Sequence, residues 1–209
     1  MTIALTPFEL ADRIRRYPAH GRVIVALAGT PGSGKSTLAE WLCARLNADV
    51  PDGAAVLPMD GYHFDDRVLE ARGLRARKGA PETFDVAGLR HMLGRLKLNE
   101  EDEIAVPVFD RDLEIARAGA RLIPRGVRYL IVEGNYLLIG RAPWSALRGL
   151  FDVTVMIEVP EETLRERLRR RWQDHGLSPH EVTAKVEGND MPNGRFVRDA
   201  SAAADFIVS

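Results

Sequence analysis

Three stretches of the chain are apolar at nearly every position rather than at alternate ones. They are RVIVALAG at 22 to 29, YLIVEG at 129 to 134 and VTVMIEV at 153 to 159. A strand that alternates buries one face, whereas a continuous apolar run suits a strand covered on both faces of a parallel sheet. AAVLPMD at 54 to 60 predicts a further strand that ends at Asp60, weakened by Pro58 near its end, and ADFIVS at 204 to 209 a last one. Between these runs the apolar spacing changes to that of helices. TPFE at 6 to 9 reads as a helix start, with Thr6 as cap, Pro7 in the first turn and Glu9 completing a capping box. This helix runs to about Arg16. A second runs from about Lys35 to Leu46, and Asp85 caps a third that carries Leu89, Met92, Leu93 and Leu96. EETLRERLRRRWQDH at 161 to 175 predicts a charged helix, and Ser178 starts another that reaches about residue 190.

Strands alternating with helices imply an α/β fold with a parallel sheet flanked by helices. Residues 61 to 125 break this alternation. They read as mostly helical and polar at first, then as a hairpin of IAVPVFD (104 to 110) and ARLIP (120 to 124). This segment is expected to be a substrate-facing insertion within one domain spanning 1 to 209, a length that suits a single core.

Composition narrows the function. The net charge of −1 gives no basic surplus, which argues against nucleic acid as partner. No apolar run is long enough to span a bilayer, so membrane insertion is not expected. The first residues hold Glu9 and Asp12 and do not read as a signal peptide. Cys43 is the single cysteine, read as a small core thiol, so no internal disulfide forms. Together these give a cytoplasmic expectation. No helix shows a sustained heptad seam, and a homodimer is left open.

The chemistry begins after the first apolar run. Gly29-Thr30-Pro31-Gly32-Ser33-Gly34-Lys35-Ser36-Thr37 fits G-x-x-x-x-G-K-[ST] between a strand and a helix. Glycines let successive backbone N–H groups turn inward toward phosphate oxygens, and the next helix adds its own free N–H groups. Lys35 neutralises phosphate charge, and the Ser36 hydroxyl suits Mg²⁺. Two acids follow strands at the end where ligands of open α/β sheets gather. Asp60 is read as the general base that orients an attacking hydroxyl, with helix capping as its alternative role. Glu133 is read as an acid that positions Mg²⁺ or holds an acceptor hydroxyl. His63 reads equally as a substrate contact or a surface histidine, and Asp65 with Asp66 as a solvated pair.

In the charged helix, Leu164, Leu168 and Trp172 form a stripe that should pack inward. Arg167, Arg170 and Arg171 flank it on one side, Arg165 and Arg169 on the other. An arginine on a lid over the nucleotide stabilises the transferring phosphoryl group, by ~10³ to 10⁵ in rate. Arg167 and Arg171 are the candidates, on a lid over 165 to 180 hinged near Gly176. The alternative is a solvated face paired with Glu161, Glu162 and Glu166.

Taken in order, GTPGSGKST, MDGYHFDD, RKGAPETFD, PVFDR, VEGNYLL and RLRRR resemble the uridine kinase and pantothenate kinase-like branch of phosphate-loop kinases. Within it the chain is similar to bacterial proteins described as fructose-transport-system kinases or nucleoside/nucleotide kinase family members. The resemblance implies a P-loop NTPase fold, ATP and Mg²⁺ as cofactors, and an alcohol group of a small molecule as acceptor. It matches Asp60 to the catalytic aspartate, Glu133 to the metal- or substrate-linked acid and Arg171 with Arg167 to lid arginines. It also places Arg111, in PVFDR, among substrate-binding side chains. Uridine kinases carry an Asp-His pair where this chain has Gly79-Ala80, which counts against a nucleoside. A sugar such as fructose would be held by Asp60, Arg77, Lys78, Arg111 and Glu133, and a similar set would serve pantothenate. The competing classes are a GTPase switch, for which no N-K-x-D element is present, and a non-catalytic ATP-binding subunit beside a sugar transporter.

Overall fold

A computed structural model of the protein describes residues 2–18 and 21–209. Among the described residues, eight strands and seven α-helices follow one another: β1 (Ile3–Ala4), α1 (Pro7–Arg15), β2 (Val23–Gly29), α2 (Lys35–Asn47), β3 (Ala54–Pro58), α3 (Asp66–Ala71), α4 (Val86–Leu98), β4 (Glu103–Asp110), β5 (Ile115–Pro124), β6 (Tyr129–Gly134), β7 (Val153–Ile157), α5 (Glu161–Asp174), α6 (Pro179–Lys185), α7 (Met191–Ala200) and β8 (Phe206–Val208). Six strands form one parallel sheet in the order β1-β8-β7-β2-β6-β3, while β4 and β5 pair only with each other, antiparallel.

The continuous apolar runs lie at the middle of that sheet. β2 is buried at every position, between β6 and β7. Its side chains divide between two cores. Val23, Val25 and Leu27 pack with Leu10 and Ile14 of α1 and Leu42 and Leu46 of α2. Ile24, Ala26 and Ala28 pack with Leu89, Leu93 and Leu96 of α4 and with Trp144 and Leu147. At roughly 25 cal/mol per Å² of apolar surface removed from water, this double coverage is the main favourable term for the sheet.

Caps fall where the side chains predict them. Thr6 and Glu9 form the capping box of α1, and Ser178 and Glu181 form one for α6. The Asp85 carboxylate accepts from the Gly88 N–H at the start of α4.

The structure departs from the sequence reading in four places. Asp60 does not end a strand: Pro58 closes β3, and Asp60 sits in a 3₁₀ turn over Met59–Tyr62. Residues 61 to 100 contain less α-helix than expected, with 3₁₀ turns at Arg75–Arg77 and Pro81–Thr83. The strand at 153 stops at Ile157, before the two residues that were expected to extend it. The helix from Ser178 continues past Lys185 as a π-helical turn, Val186–Asp190, and then as α7. The pattern missed α7 because Pro192 lies within it, and a proline inside a helical run normally signals its end. No described helix is long and apolar enough to cross a membrane.

Arg22 ties the insertion to the sheet. Its buried guanidinium donates from Nε to the Val127 carbonyl (2.8 Å), from Nη1 to Leu96 (2.9 Å) and from Nη2 to Pro124 (2.8 Å). Arg22→Met leaves three carbonyls without this donor, and urea denaturation should show a loss of about 3 kcal/mol. Lysine cannot form the same planar fork, so Arg22→Lys should restore only a minor part.

Candidate active site

The loop between β2 and α2 owes its shape to two glycines. Gly34 caps α2 at φ +89°, in the left-handed region. A Cβ on Gly29 would stand 2.6 Å from Ser33 Oγ and 3.2 Å from Ile157. The loop therefore folds tightly back on the sheet, with the Ser33 N–H donating to the Thr30 carbonyl at 3.1 Å. Pro31, Gly32, Gly34, Lys35, Ser36 and Thr37 line a cavity of about 410 Å³. Gly29, Thr30 and Ser33 build the loop without lining this cavity. The hydroxyls of Thr30 and Ser33 are buried and have no hydrogen-bond partner. Lys35 donates to the Thr30 carbonyl at 3.0 Å. Burial pushes its pKa down, against the carboxylates of Glu133 and Asp60.

Glu133 reaches the same place from the neighbouring strand. It pairs in register with Leu27, so its carboxylate emerges beside the loop. Ser36 Oγ donates to Glu133 Oε1 at 3.1 Å. The carboxyl is 7% exposed, and burial, reinforced by the charge of Asp60, raises its pKa. Asp60 lines the cavity from its 3₁₀ turn and accepts from Arg111 Nη2 at 3.0 Å. His63 Nδ1 lies 2.8 Å from the Asp60 carbonyl. A carbonyl only accepts, so Nδ1 carries the proton and Nε2 is left as an acceptor. The ring sits against Phe84 and Phe109, with centroids at 4.0 and 4.8 Å, and burial lowers its pKa.

The insertion contributes Lys78, which is largely buried and bound to Asp66 Oδ1 at 2.7 Å. Arg75 Nε holds the other oxygen of Asp66 at 2.8 Å. Asp66 is thus an anchor for two cations, not half of a solvated pair. Arg77 corrects another expectation. Its guanidinium pairs with Glu82 at 2.7 Å on the exposed side of the turn and is not part of the cavity lining. Adjacent residues of a 3₁₀ turn point in different directions, and this one turns Lys78 inward and Arg77 out.

On α5, Leu164 and Leu168 are buried and Trp172 packs beside Leu168, Val182, Val186 and Met191. Arg167 and Arg171 line the cavity, whereas Arg165 and Arg169 turn away and pair with Glu187 at 3.0 and 3.3 Å. The helix therefore combines the two readings of its arginines. Arg167 Nη1 reaches the Gly32 carbonyl at 3.4 Å. Arg171 lies 5.4 Å from the Trp172 ring, and burial lowers its pKa. The end of α6 brings in Lys185, and the π-helical turn and the start of α7 bring in Asn189, Asp190 and Asn193, which the sequence did not single out. A proline seven residues after Lys185, in an otherwise helical run, was the available signal, since π-turns recur at functional sites. Cys43 is half-buried rather than core, and its thiol donates to the Ala54 carbonyl at 3.3 Å.

Residues 24–209 match the model of the phosphoribulokinase / uridine kinase family. The chain belongs to this family. It is a P-loop kinase, an ATP-dependent phosphotransferase with a parallel α/β sheet. A crystal structure from Silicibacter sp. TM1040, provisionally described as a fructose transport system kinase, matches it with a TM-score of 0.91 and 43% identity over 98% of this chain and 99% of that one. The uncharacterized protein YggC of Escherichia coli (strain K12) is 37% identical over 90% of this chain and 77% of its own length. The pantothenate kinase of Streptomyces avermitilis is 33% identical over 70% of this chain but only 47% of its own.

The cluster around Trp172 gives a direct check on the π-turn. Trp172 Nε1 donates to Asp190 Oδ2 at 2.6 Å, and burial raises the pKa of that carboxyl. Trp172→Phe removes the donor and leaves the carboxylate short of a partner. Amide hydrogen exchange across residues 186–190 should speed up about tenfold, with α4 unaffected.

Proposed function

We propose that the kinase transfers the γ-phosphoryl group of ATP to a hydroxyl of a small polar molecule, with a sugar such as fructose as the leading acceptor. One observation carries this reading: the phosphate loop, Ser36 with Glu133, Asp60 and the two lid arginines line a single cavity. Backbone N–H groups of Gly32 and of residues 34 to 37, with the Lys35 ammonium, would hold the triphosphate. A neighbouring cavity of about 700 Å³, bounded by Thr30, Glu158, Pro160 and Ala202, offers room for the nucleoside half.

The donor set also fits Mg²⁺. Ser36 and Glu133 are hard oxygen ligands in contact with each other, and no described cluster of three or more His, Cys, Asp or Glu would hold a metal alone. Mg²⁺ is commonly bound by one or two protein oxygens and completed by phosphate and water. When bound it would offset charge on the β- and γ-phosphates.

In this reading Asp60 accepts the proton of the attacking hydroxyl, and Arg167 and Arg171 stabilise the charge on the phosphoryl group as it moves. His63, Lys78, Arg111 and Glu133 surround the place left for the acceptor. A nucleoside fits less well. Gly79 and Ala80 offer no polar side chain to ribose, and Ala80 is fully buried. Pantothenate remains the second acceptor class, supported by the identity to pantothenate kinases.

The test follows ADP release from Mg-ATP with sugars, pantothenate and nucleosides. One acceptor should stimulate release, and no stimulation with tight ATP binding would overturn the reading. Asp60→Asn should keep ATP affinity and lower turnover by ~10² or more. Lys35→Ala should weaken both ATP binding and turnover, as read by calorimetry and the same assay.

A further inference from the structure

Behind the β4–β5 hairpin lies another cavity, about 580 Å³, a volume in the range of small-molecule sites. Of its lining, the nucleotide reading uses Ser36 and Glu133 and leaves the α2, β3 and hairpin walls without a role. Its floor is apolar, made by Ala44 of α2 and by Val56 and Pro58 of β3. The hairpin supplies Arg111 from beyond the end of β4 and Arg121 from β5. At its mouth it shares Ser36, Asp60, Phe109, Arg111 and Glu133 with the cavity beneath the lid.

Arg121 is half-buried, and its one hydrogen bond runs from Nη1 to the Val56 carbonyl. Among the described residues it has no carboxylate partner. A guanidinium carries five N–H donors, so most of its capacity stays free. Arg111 uses one donor on Asp60. An arginine seldom lines a cavity without a counter-ion, because the charge is costly to desolvate alone; Arg111 has Asp60, whereas Arg121 has no carboxylate partner among the described residues. Glu40, the remaining acid of the lining, is exposed, where water and salt screen it. Two planar forks above an apolar floor make a receptor for an oxyanion on a short carbon skeleton.

We propose that this chamber holds a carboxylate or phosphate of the acceptor, so that the substrate is an anionic alcohol whose hydroxyl reaches Asp60 at the mouth. The proposal rests on the phosphotransferase reading and narrows its acceptor from a neutral sugar such as fructose to a sugar acid, a sugar phosphate or another hydroxy acid such as pantothenate. The anion engages Arg121 and draws Arg111 from Asp60. The freed carboxylate takes the hydroxyl proton as the alcohol oxygen bonds to the γ-phosphorus, and the bond to the ADP oxygen breaks with its electron pair.

Matched acceptors test it: glycerol, glycerate and glycerol 3-phosphate; glucose, gluconate and glucose 6-phosphate; panthenol and pantothenate. At least one anionic member should exceed its neutral partner tenfold or more in kcat/KM, and the carboxylate and phosphate arms separate the two oxyanions. Arg121→Gln should raise KM for that acceptor at least tenfold with a small effect on kcat. Arg121→Lys should recover part of the loss, and unchanged ATP affinity confirms that the variants fold. Neutral partners that work equally well, or an unaffected Arg121→Gln, would overturn the proposal. If no acceptor supports turnover, the kinase reading fails separately, and the chamber is judged by calorimetry. Gluconate and glycerol 3-phosphate are titrated into protein saturated with a non-hydrolysable ATP analogue. Binding of either that is lost in Arg121→Gln supports the chamber, and absence of binding overturns it.

Discussion

The register between β2 and β6 is the constraint on which the site depends. Leu27 stands opposite Glu133, so the strand that feeds the phosphate loop and the strand that carries the acid emerge side by side. Ser36, on the first turn of α2, then meets Glu133 without any adjustment of the chain. In a parallel sheet a slip of one residue would turn Glu133 to the opposite face. Two apolar cores, one on each face of β2, make that slip costly. Packing energy far from the chemistry thus fixes the geometry of the chemistry.

The site is also a balance of buried charges. Lys35, Glu133 and Asp60 influence one another inside a region with little water, and burial works against the charged form of both Lys35 and Glu133. Such an arrangement is poor for stability on its own and suited to a ligand that brings charge of its own. Arg171 has the same character on α5, where burial and the nearby Arg111 both lower its pKa.

What could be read from residues alone follows the range of the interactions. The loop from Gly29 to Thr37, the caps at Thr6, Asp85 and Ser178, and the inward stripe of α5 are local, and the structure shows each. Glu133 was legible because an acid at the end of an apolar strand has few packing reasons to be there. Arg77 and Lys78 were not separable, since only the 3₁₀ turn at Arg75–Arg77 decides which of two adjacent cations faces inward. Asn189 and Asn193 were missed for a related reason. A single π-turn shifts the helical period, so residues counted at 3.6 per turn fall on the wrong face. The pairing of Arg111 with Asp60 joins positions 51 apart in the chain, and no local pattern encodes it.

The clamp formed by Arg22 has a mechanical consequence. It grips the carbonyls of Leu96, Pro124 and Val127, at the foot of α4 and where β5 leaves for β6. The hairpin is therefore held firmly at its root, while its far end rests on side-chain contacts, Lys78 to Glu114 and Arg111 to Asp60. Bending of such a beam grows with distance from the firm support, so residues 111–114 travel furthest once those contacts part. Arg121, nearer the anchor, moves little by comparison. One guanidinium of the chamber is thus a stationary post, and the other is a moving arm whose swing ends on Asp60.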